Sequence, residues 1–298
     1  MGFNIDAARY LVSEKSRGVN FGNTLTLGRQ AVYMTAPAYA EILRIVGADL
    51  TDLIYADDFL SGLGAEKISA MDFSIYEGAG IIHDANEPVS CDLHESFDTL
   101  IDGGTLEHVF NFPIAIRNCM EMVKTGGRVI LLTPWHNFSG HGFYEFSPEL
   151  LWSIFSESNG FEIERMMFVA DGHWYEVKNP SVIKQRIEIR TQDEILLFAT
   201  ARKTSRKPIF RSWPQQSDYA ATWEKANQTH PPLQAQQKPG KSFLKSIPGL
   251  SGLRMKWKSH KKKPGSPTPE QQGLHADLSL RSDTSTVESA ARENYWFR

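Results

Sequence analysis

SFDTLIDGGTLEHVFNFP, residues 96–113, decides how this chain is read. Phe97, Thr99 and Ile101 alternate as in a buried strand, Gly103 and Gly104 make a small-residue turn, and Leu106-Glu107-His108-Val109 follows. A helix is expected from about Pro113. In open α/β sheets, nucleotide-type ligands sit where strands deliver their carboxyl ends and small residues let a ligand approach the backbone. A strand ending in Asp-Gly-Gly and followed by a Glu-His pair has the form of one wall of such a site.

Outward from this stretch, helical and strand patterns alternate. Upstream, residues 1–18 read as an amphipathic helix and residues 23–27 as a strand closing at the turn Gly28-Arg29-Gln30. A helix over 37–46 has Thr35 as N-cap, Pro37 in its first turn and Gly47 as its end. A helical piece over 56–63, a strand over 67–71 ending at Asp72, and a third strand over 80–83 ending at Asp84 lead into the opening stretch. Downstream come a helix over 114–123 stopped by Gly126-Gly127 and a nearly continuous apolar strand, RVILLT (128–133), ended by Pro134. A helix over 147–158, capped by Ser147, precedes strands over 161–169 and 188–201, an antiparallel pair joined by the loop 171–187. The pattern predicts an α/β fold with a mostly parallel, doubly wound sheet and an antiparallel final strand.

Composition is ordinary for a globular protein, with 41% hydrophobic and 22% charged residues. No apolar run has the length of a membrane span or a signal peptide, so a cytoplasmic protein is expected. Cys91 and Cys119 are too few for a disulfide framework and read as free thiols. The net charge of −3 hides a split: residues 1–201 carry about 14 Lys and Arg against 28 Asp and Glu, residues 202–298 about 18 against 7. The expected division is a folded domain over 1–204 and a largely disordered basic tail over 205–298, rich in Pro, Gly, Ser and Gln. Within the tail, residues 241–263 mix apolar side chains and Trp257 with the run Lys261–Lys263. Weak contact with a membrane surface or a protein partner is open to such a segment, and no nucleic acid is expected beside so acidic a body.

Taken together, residues 20–201 resemble a class I S-adenosylmethionine-dependent methyltransferase. The resemblance is carried by FDTLIDGGTLEHV, CMEMVKTGGRVILLTP and FSPELLWSIFSESNGFEI in that order. It implies a seven-stranded sheet with its last strand reversed, and S-adenosylmethionine as cofactor. It further implies Asp72 as acceptor from the ribose hydroxyls, Asp84 near the adenine amino group, and Asp102, Gly103, Gly104, Leu106 and Glu107 at the methionine end. The family's first strand runs into Gly-x-Gly-x-Gly, whereas here Gly28 is followed by Arg29 and Gln30. Either those side chains contact the cofactor carboxylate or they fill part of its pocket. The interval from Gly28 to Asp72 exceeds the usual ~20 residues and implies an insertion over 31–66.

Methyl transfer requires a nucleophile held in line with the donor and, for a hydroxyl, a base. His108, His136 and His141 follow the fourth and fifth strands and are the candidate bases. His136 and His141 stand five apart with no third ligand in view, so no metal site is expected. The aromatic segment WHNFSGHGFYEFS (135–147) reads either as a substrate-facing wall or as a small core under a loop. The resulting expectation is O- or N-methylation of a small-molecule or glycan-type acceptor. Its rival is an inactive methyltransferase-like binding or scaffold module; an NAD-dependent oxidoreductase fits less well, because its glycine fingerprint is also missing. The oligomeric state is left open.

Overall fold

Residues 129–132 show why one strand is apolar throughout. Val129 and Leu131 belong to the core on one side of the sheet, Ile130 and Leu132 to the core on the other. Successive side chains in a strand point to opposite faces, so a strand covered on both faces has no polar phase. Leu100 and Ile101, and Leu197 and Phe198, divide in the same way.

A computed structural model describes residues 2–229. In chain order the elements are β1 (Gly2–Phe3), α1 (Ile5–Ser16), β2 (Gly22–Leu27), β3 (Ala31–Val32), α2 (Ala36–Val46), α3 (Asp57–Leu63), β4 (Ala65–Asp72) and β5 (Ile81–Ile82). There follow β6 (Phe97–Asp102), α4 (Phe112–Met122), β7 (Val123–His136), α5 (Pro148–Ile154), β8 (Phe161–Ala170), β9 (His173–Glu176), α6 (Pro180–Ile183), β10 (Ile195–Lys203) and α7 (Ser217–Thr229).

The main sheet has the order β5-β4-β2-β6-β7-β10-β8-β9. Strands β5, β4, β2, β6 and β7 are parallel, and β10 runs antiparallel to both β7 and β8. Residues of α1, α2 and α3 build the core on one face; α4 and α5 build the other. The winding goes from β2 outward to β4 and β5, then returns to β6 and β7. The reversal therefore falls between β2 and β6, the place where such sheets open a crevice at their carboxyl edge.

The expected doubly wound, mostly parallel sheet with a reversed final strand is present, and it has an eighth strand. Residues 173–176, expected in a loop, pair with residues 167–170 as a hairpin turned at Asp171-Gly172. The third strand shrinks to two residues, and the final strand starts at Ile195 rather than 188. The helix expected over 147–158 stops at Ile154 and gives way to a single 3-10 turn, Glu157–Asn159. Gly126-Gly127 does not stop the preceding helix, because α4 ends at Met122 and β7 begins at the next residue. A Cβ at Gly127 would lie 2.6 Å from the Asp98 carbonyl oxygen, so this glycine allows a close strand approach. Pro134 lies inside β7, beyond the point where pairing with β6 ends at Leu131, so its missing N–H breaks no ladder on that side. A short parallel pair, β1 with β3, was not foreseen.

The chain stays packed past residue 204: Ile209 is buried in the core and the Phe210 N–H donates to Asn159 Oδ1 at 2.9 Å. The segment 241–263, with Trp257 and Lys261–Lys263, lies outside the described residues. Among the described residues no helix is long and apolar enough to cross a membrane. Cys91 is exposed and Cys119 buried, both as free thiols.

Lys203, at the end of β10, is almost wholly buried. Its Nζ donates to the carbonyls of Met120 at 3.1 Å and Val123 at 2.8 Å, and lies 3.4 Å from Glu95 Oε1. It thus satisfies orphan carbonyls at the end of a helix that lacks a glycine cap. Lys203→Met keeps the apolar stem and leaves both carbonyls unpaired. The expected loss is about 1–3 kcal/mol in urea unfolding; an unchanged midpoint would remove this role.

Candidate functional site

Parallel pairing brings the ends of four strands together. Leu27 stands opposite Asp102 on one side and Met71 on the other, and Asp72 stands opposite Ile82. The Gly28 N–H donates to the Met71 carbonyl at 2.7 Å, and the His83 N–H to the Asp72 carbonyl at 2.9 Å. Asp84, Asp72, Gly28 and Asp102 therefore follow one another along a single sheet edge.

Asp72 and Asp84 are half-buried. Asp84 Oδ1 accepts from the Asn86 backbone N–H at 2.9 Å and from Asn86 Nδ2 at 2.8 Å, and these bonds hold its carboxyl below the usual range. The loop between β4 and β5 exposes Phe73, Ile75 and Tyr76, and β5 exposes Ile82. These apolar groups escaped notice in the sequence; the signal was a run of apolar residues in a glycine-containing loop directly after Asp72.

Gly28 has φ +66°, a left-handed conformation that glycine adopts without strain. Arg29 is held by the insertion: its Nε and Nη2 lie 3.1 and 2.9 Å from Asp57 Oδ2, and its guanidinium stacks 3.9 Å over the Tyr55 ring. Gln30 is buried and folds back, its Nε2 donating to the carbonyls of Leu27 at 2.7 Å and Gly28 at 3.3 Å. Its Oε1 has no hydrogen-bond partner. A Cβ built on Gly103 would lie 2.1 Å from that Oε1 and 3.0 Å from Phe3 Cε1. Gln30 and the N-terminal strand thus cover the Asp102–Gly104 turn, and the Gly2 N–H donates to the Gly103 carbonyl at 2.9 Å.

Two carboxylates are buried at this turn. Asp102 Oδ1 accepts from the Thr105 N–H at 2.9 Å, while Oδ2 has no hydrogen-bond partner. The Thr105 hydroxyl donates to the Leu27 carbonyl at 2.7 Å, joining the end of β6 to the end of β2. Leu106, Glu107 and His108 form a 3-10 turn in which Leu106 and Glu107 are buried and His108 is exposed. The Glu107 carboxylate receives no hydrogen bond from any other described residue; its Oε1 lies 3.4 Å from His141 Nε2. Burial pushes Asp102 up to about 8, with the Glu107 charge adding to the shift, and burial pushes Glu107 up to about 7.

The Glu107 carbonyl accepts the N–H of Phe143 at 2.8 Å and of Tyr144 at 3.3 Å. Gly142 makes that approach possible, since a Cβ there would meet the same carbonyl at 2.9 Å. The loop carrying His141 is thereby fixed against the 3-10 turn, and the rings of His108 and His141 lie 5.2 Å apart. Partial desolvation, with the neighbouring His141 adding to it, lowers the His108 pKa, which favours neutral imidazole. His136 ends β7 opposite Ile195 and is not in this group.

The aromatic segment divides between buried and exposed rings. Trp135 and Phe146 are core residues, with Phe146 packed 4.5 Å from the Phe112 ring. Phe143 is exposed and meets the exposed Phe110 edge to face at 5.8 Å.

No protein-family model and no curated protein matches the chain. Among solved structures it is similar to the 1,6-didemethyltoxoflavin-N1-methyltransferase of Burkholderia thailandensis, crystallised with 1,6-didemethyltoxoflavin and S-adenosylhomocysteine. The identity is 14% and the TM-score 0.39, over 66% of this chain and 78% of that one. The N-methyltransferase NodS of Bradyrhizobium japonicum gives 12% identity and a TM-score of 0.39, over 67% and 96%. The branched-chain polyamine synthase of Thermus thermophilus, in complex with N4-aminopropylspermidine and 5'-methylthioadenosine, gives 11% and 0.38, over 70% and 58%.

Because its folded-state value is raised, Asp102 keeps a proton that the unfolded chain releases above about pH 4. Stability is therefore expected to fall as pH rises from about 4 to about 8. In chelator, Asp102→Asn should flatten this decline and gain about 1–3 kcal/mol at pH 8 relative to the wild type. Melting temperatures at pH 5 and pH 8 check it; equal slopes for both proteins would contradict it.

Proposed function

We propose that the chain is an S-adenosylmethionine-dependent methyltransferase acting on a small-molecule or glycan-type acceptor at oxygen or nitrogen. The observation that carries this reading is the strand order, with its reversal between β2 and β6 and its antiparallel β10 inserted between β7 and β8. That order sets Asp84, Asp72, Gly28 and Asp102 along one carboxyl edge.

In this reading Asp72 accepts from the ribose hydroxyls, and Asp84 presents its second oxygen to the adenine amino group. Phe73 and Ile82, exposed beside them, supply apolar cover for a planar base. The Asp102–Gly104 turn, Leu106 and Glu107 border the methionine end. When bound, the sulfonium cofactor supplies the methyl group. The chain's own task is to orient the acceptor and take its proton, a role this reading gives to His108, with His141 beside it. Phe110 and Phe143 form an apolar rim next to these histidines. His136 stands apart from this arrangement. Arg29, held by Asp57 and Tyr55, is a positioning residue for the loop after β2.

One observation favours a second reading, a methyltransferase-like module without activity: Gln30 and Phe3 occupy the space beside Gly103. Calorimetry with S-adenosylhomocysteine separates the two. The enzyme reading expects binding that Asp72→Ala weakens about ten- to a hundred-fold, the worth of hydrogen bonds to a charged group. Gln30→Ala, which clears the space beside Gly103, should tighten it. No heat at millimolar ligand would overturn the enzyme reading, whereas cofactor-dependent methyl transfer abolished by Asp72→Ala would eliminate the module.

A further inference from the structure

The Glu107 carboxylate is fully buried and has no hydrogen bond from another described residue, and its Oε1 lies 3.4 Å from His141 Nε2. One potential ligand atom each from Glu107, His108 and His141 lies within 4.8 Å of the others. A buried ionised carboxylate without a hydrogen-bonded partner costs several kcal/mol, a cost relieved either by protonation or by a cation held between it and the imidazoles. We infer that Glu107, His108 and His141 form a divalent transition-metal site, of the two-imidazole, one-carboxylate kind, that takes Zn2+.

Distances support the assignment. Zinc binds imidazole nitrogen and carboxylate oxygen at about 2.0–2.2 Å, so two ligands on one tetrahedral ion stand about 3.3 Å apart. His141 Nε2 and Glu107 Oε1 are 3.4 Å apart. His108, exposed and on the same 3-10 turn as Glu107, brings one potential ligand atom within 4.8 Å of both. The backbone around the site is already fixed. The Phe143 and Tyr144 N–H groups bind the Glu107 carbonyl, the His141 N–H donates to the Phe138 carbonyl at 2.8 Å, and the His108 N–H to the Thr105 carbonyl at 3.0 Å. The donor set of two nitrogens and one oxygen suits zinc or a neighbouring first-row ion rather than Mg2+ or Ca2+, which prefer all-oxygen sites. Three protein ligands leave a coordination position open for water or an acceptor oxygen. The site uses His108, the base of the methyltransferase reading, and an imidazole bound to Zn2+ no longer serves as that base; metal binding does not rest on the methyltransferase reading.

The test uses the untagged full-length chain, stripped with chelator and titrated with Zn2+ by calorimetry in the absence of any adenosyl ligand. Co2+ loading provides a second readout through its visible absorption. One Zn2+ per chain is expected, weakened about ten-fold or more by each of Glu107→Gln, His108→Ala and His141→Ala, and unchanged in His136→Ala. The Co2+ bands should disappear in the same three variants. His141 lies on an exposed loop, so His141→Ala keeps the test sound if Glu107→Gln unfolds. Absence of stoichiometric binding, or binding indifferent to His108→Ala and His141→Ala, would overturn the assignment. S-adenosylhomocysteine affinity of the stripped protein is measured separately; its absence would count against the methyltransferase reading and leave the metal site standing.

Discussion

The turn after β6 buries two carboxyl groups within five residues of each other, and the geometry of the candidate site hangs on how each is accommodated. Asp102 spends one oxygen on the Thr105 N–H, and the Thr105 hydroxyl then reaches the Leu27 carbonyl, so the ends of β6 and β2 are coupled at the winding reversal. Glu107 accommodates its backbone instead, its carbonyl accepting two N–H groups from the loop after β7. The side chains remain undersatisfied, which is why burial drives both carboxyl groups towards the protonated form. A stretch that is costly to bury and well held by its backbone has the physical character expected of a functional site rather than of packing alone.

That cost is borne by a sheet with two complete cores. The faces of β6, β7 and β10 divide cleanly, Leu100, Val129 and Leu197 on one side and Ile101, Ile130 and Phe198 on the other. Lys203 and Glu95 meet near the opposite end of β6, and the orphaned side-chain oxygen of β6 among the described residues, Asp102 Oδ2, is at its carboxyl end. Inserting β10 between β7 and β8 leaves β7 paired beyond Leu131 only on its β10 side. The region beyond carries Pro134, Trp135 and the histidine loop, and it is free to fold back over the Glu107 turn.

Much of this was legible in the sequence because periodicity reports burial directly. The alternation of strand and helix, the Ser147 cap that accepts from Leu150, and the left-handed end of α2 at Gly47 all follow from local chemistry. What failed depended on partners distant in sequence. Pro134 reads as a strand end unless its bare neighbour side is known, and Gly126-Gly127 reads as a helix stop unless the approach of Asp98 is known. The hairpin of β8 and β9 adds an eighth strand from residues with no strong alternation. At the site, His141 was visible but its proximity to Glu107 was not, since 34 residues separate them and only the pairing of Phe143 and Tyr144 with the Glu107 carbonyl brings them together. No third ligand for His136 and His141 stands out in the sequence, because Glu107 and His108, which lie near His141, come from the turn after β6 and His136 is not among them.

The loop after β2 is where the residues speak most directly to function. Arg29, the bulkier departure from a glycine-rich turn, is held by Asp57 and Tyr55, both supplied by the insertion over 31–66. Gln30 is the residue that narrows it. Its amide donors cap the Leu27 and Gly28 carbonyls, work that a glycine turn leaves to water or ligand, and its oxygen is left facing Gly103 without a donor. The cover is completed by β1, where Gly2 admits the close approach of the Ala31 carbonyl and Phe3 is wholly buried against Phe59. One buried aromatic side chain, at roughly 2–3 kcal/mol, and a few hydrogen bonds of about 1 kcal/mol each hold that segment down. Local opening at such a cost lies within the range that folded proteins sample. A ligand that needed the space beside Gly103 would have to displace Gln30 and Phe3 and supply that difference from its own contacts.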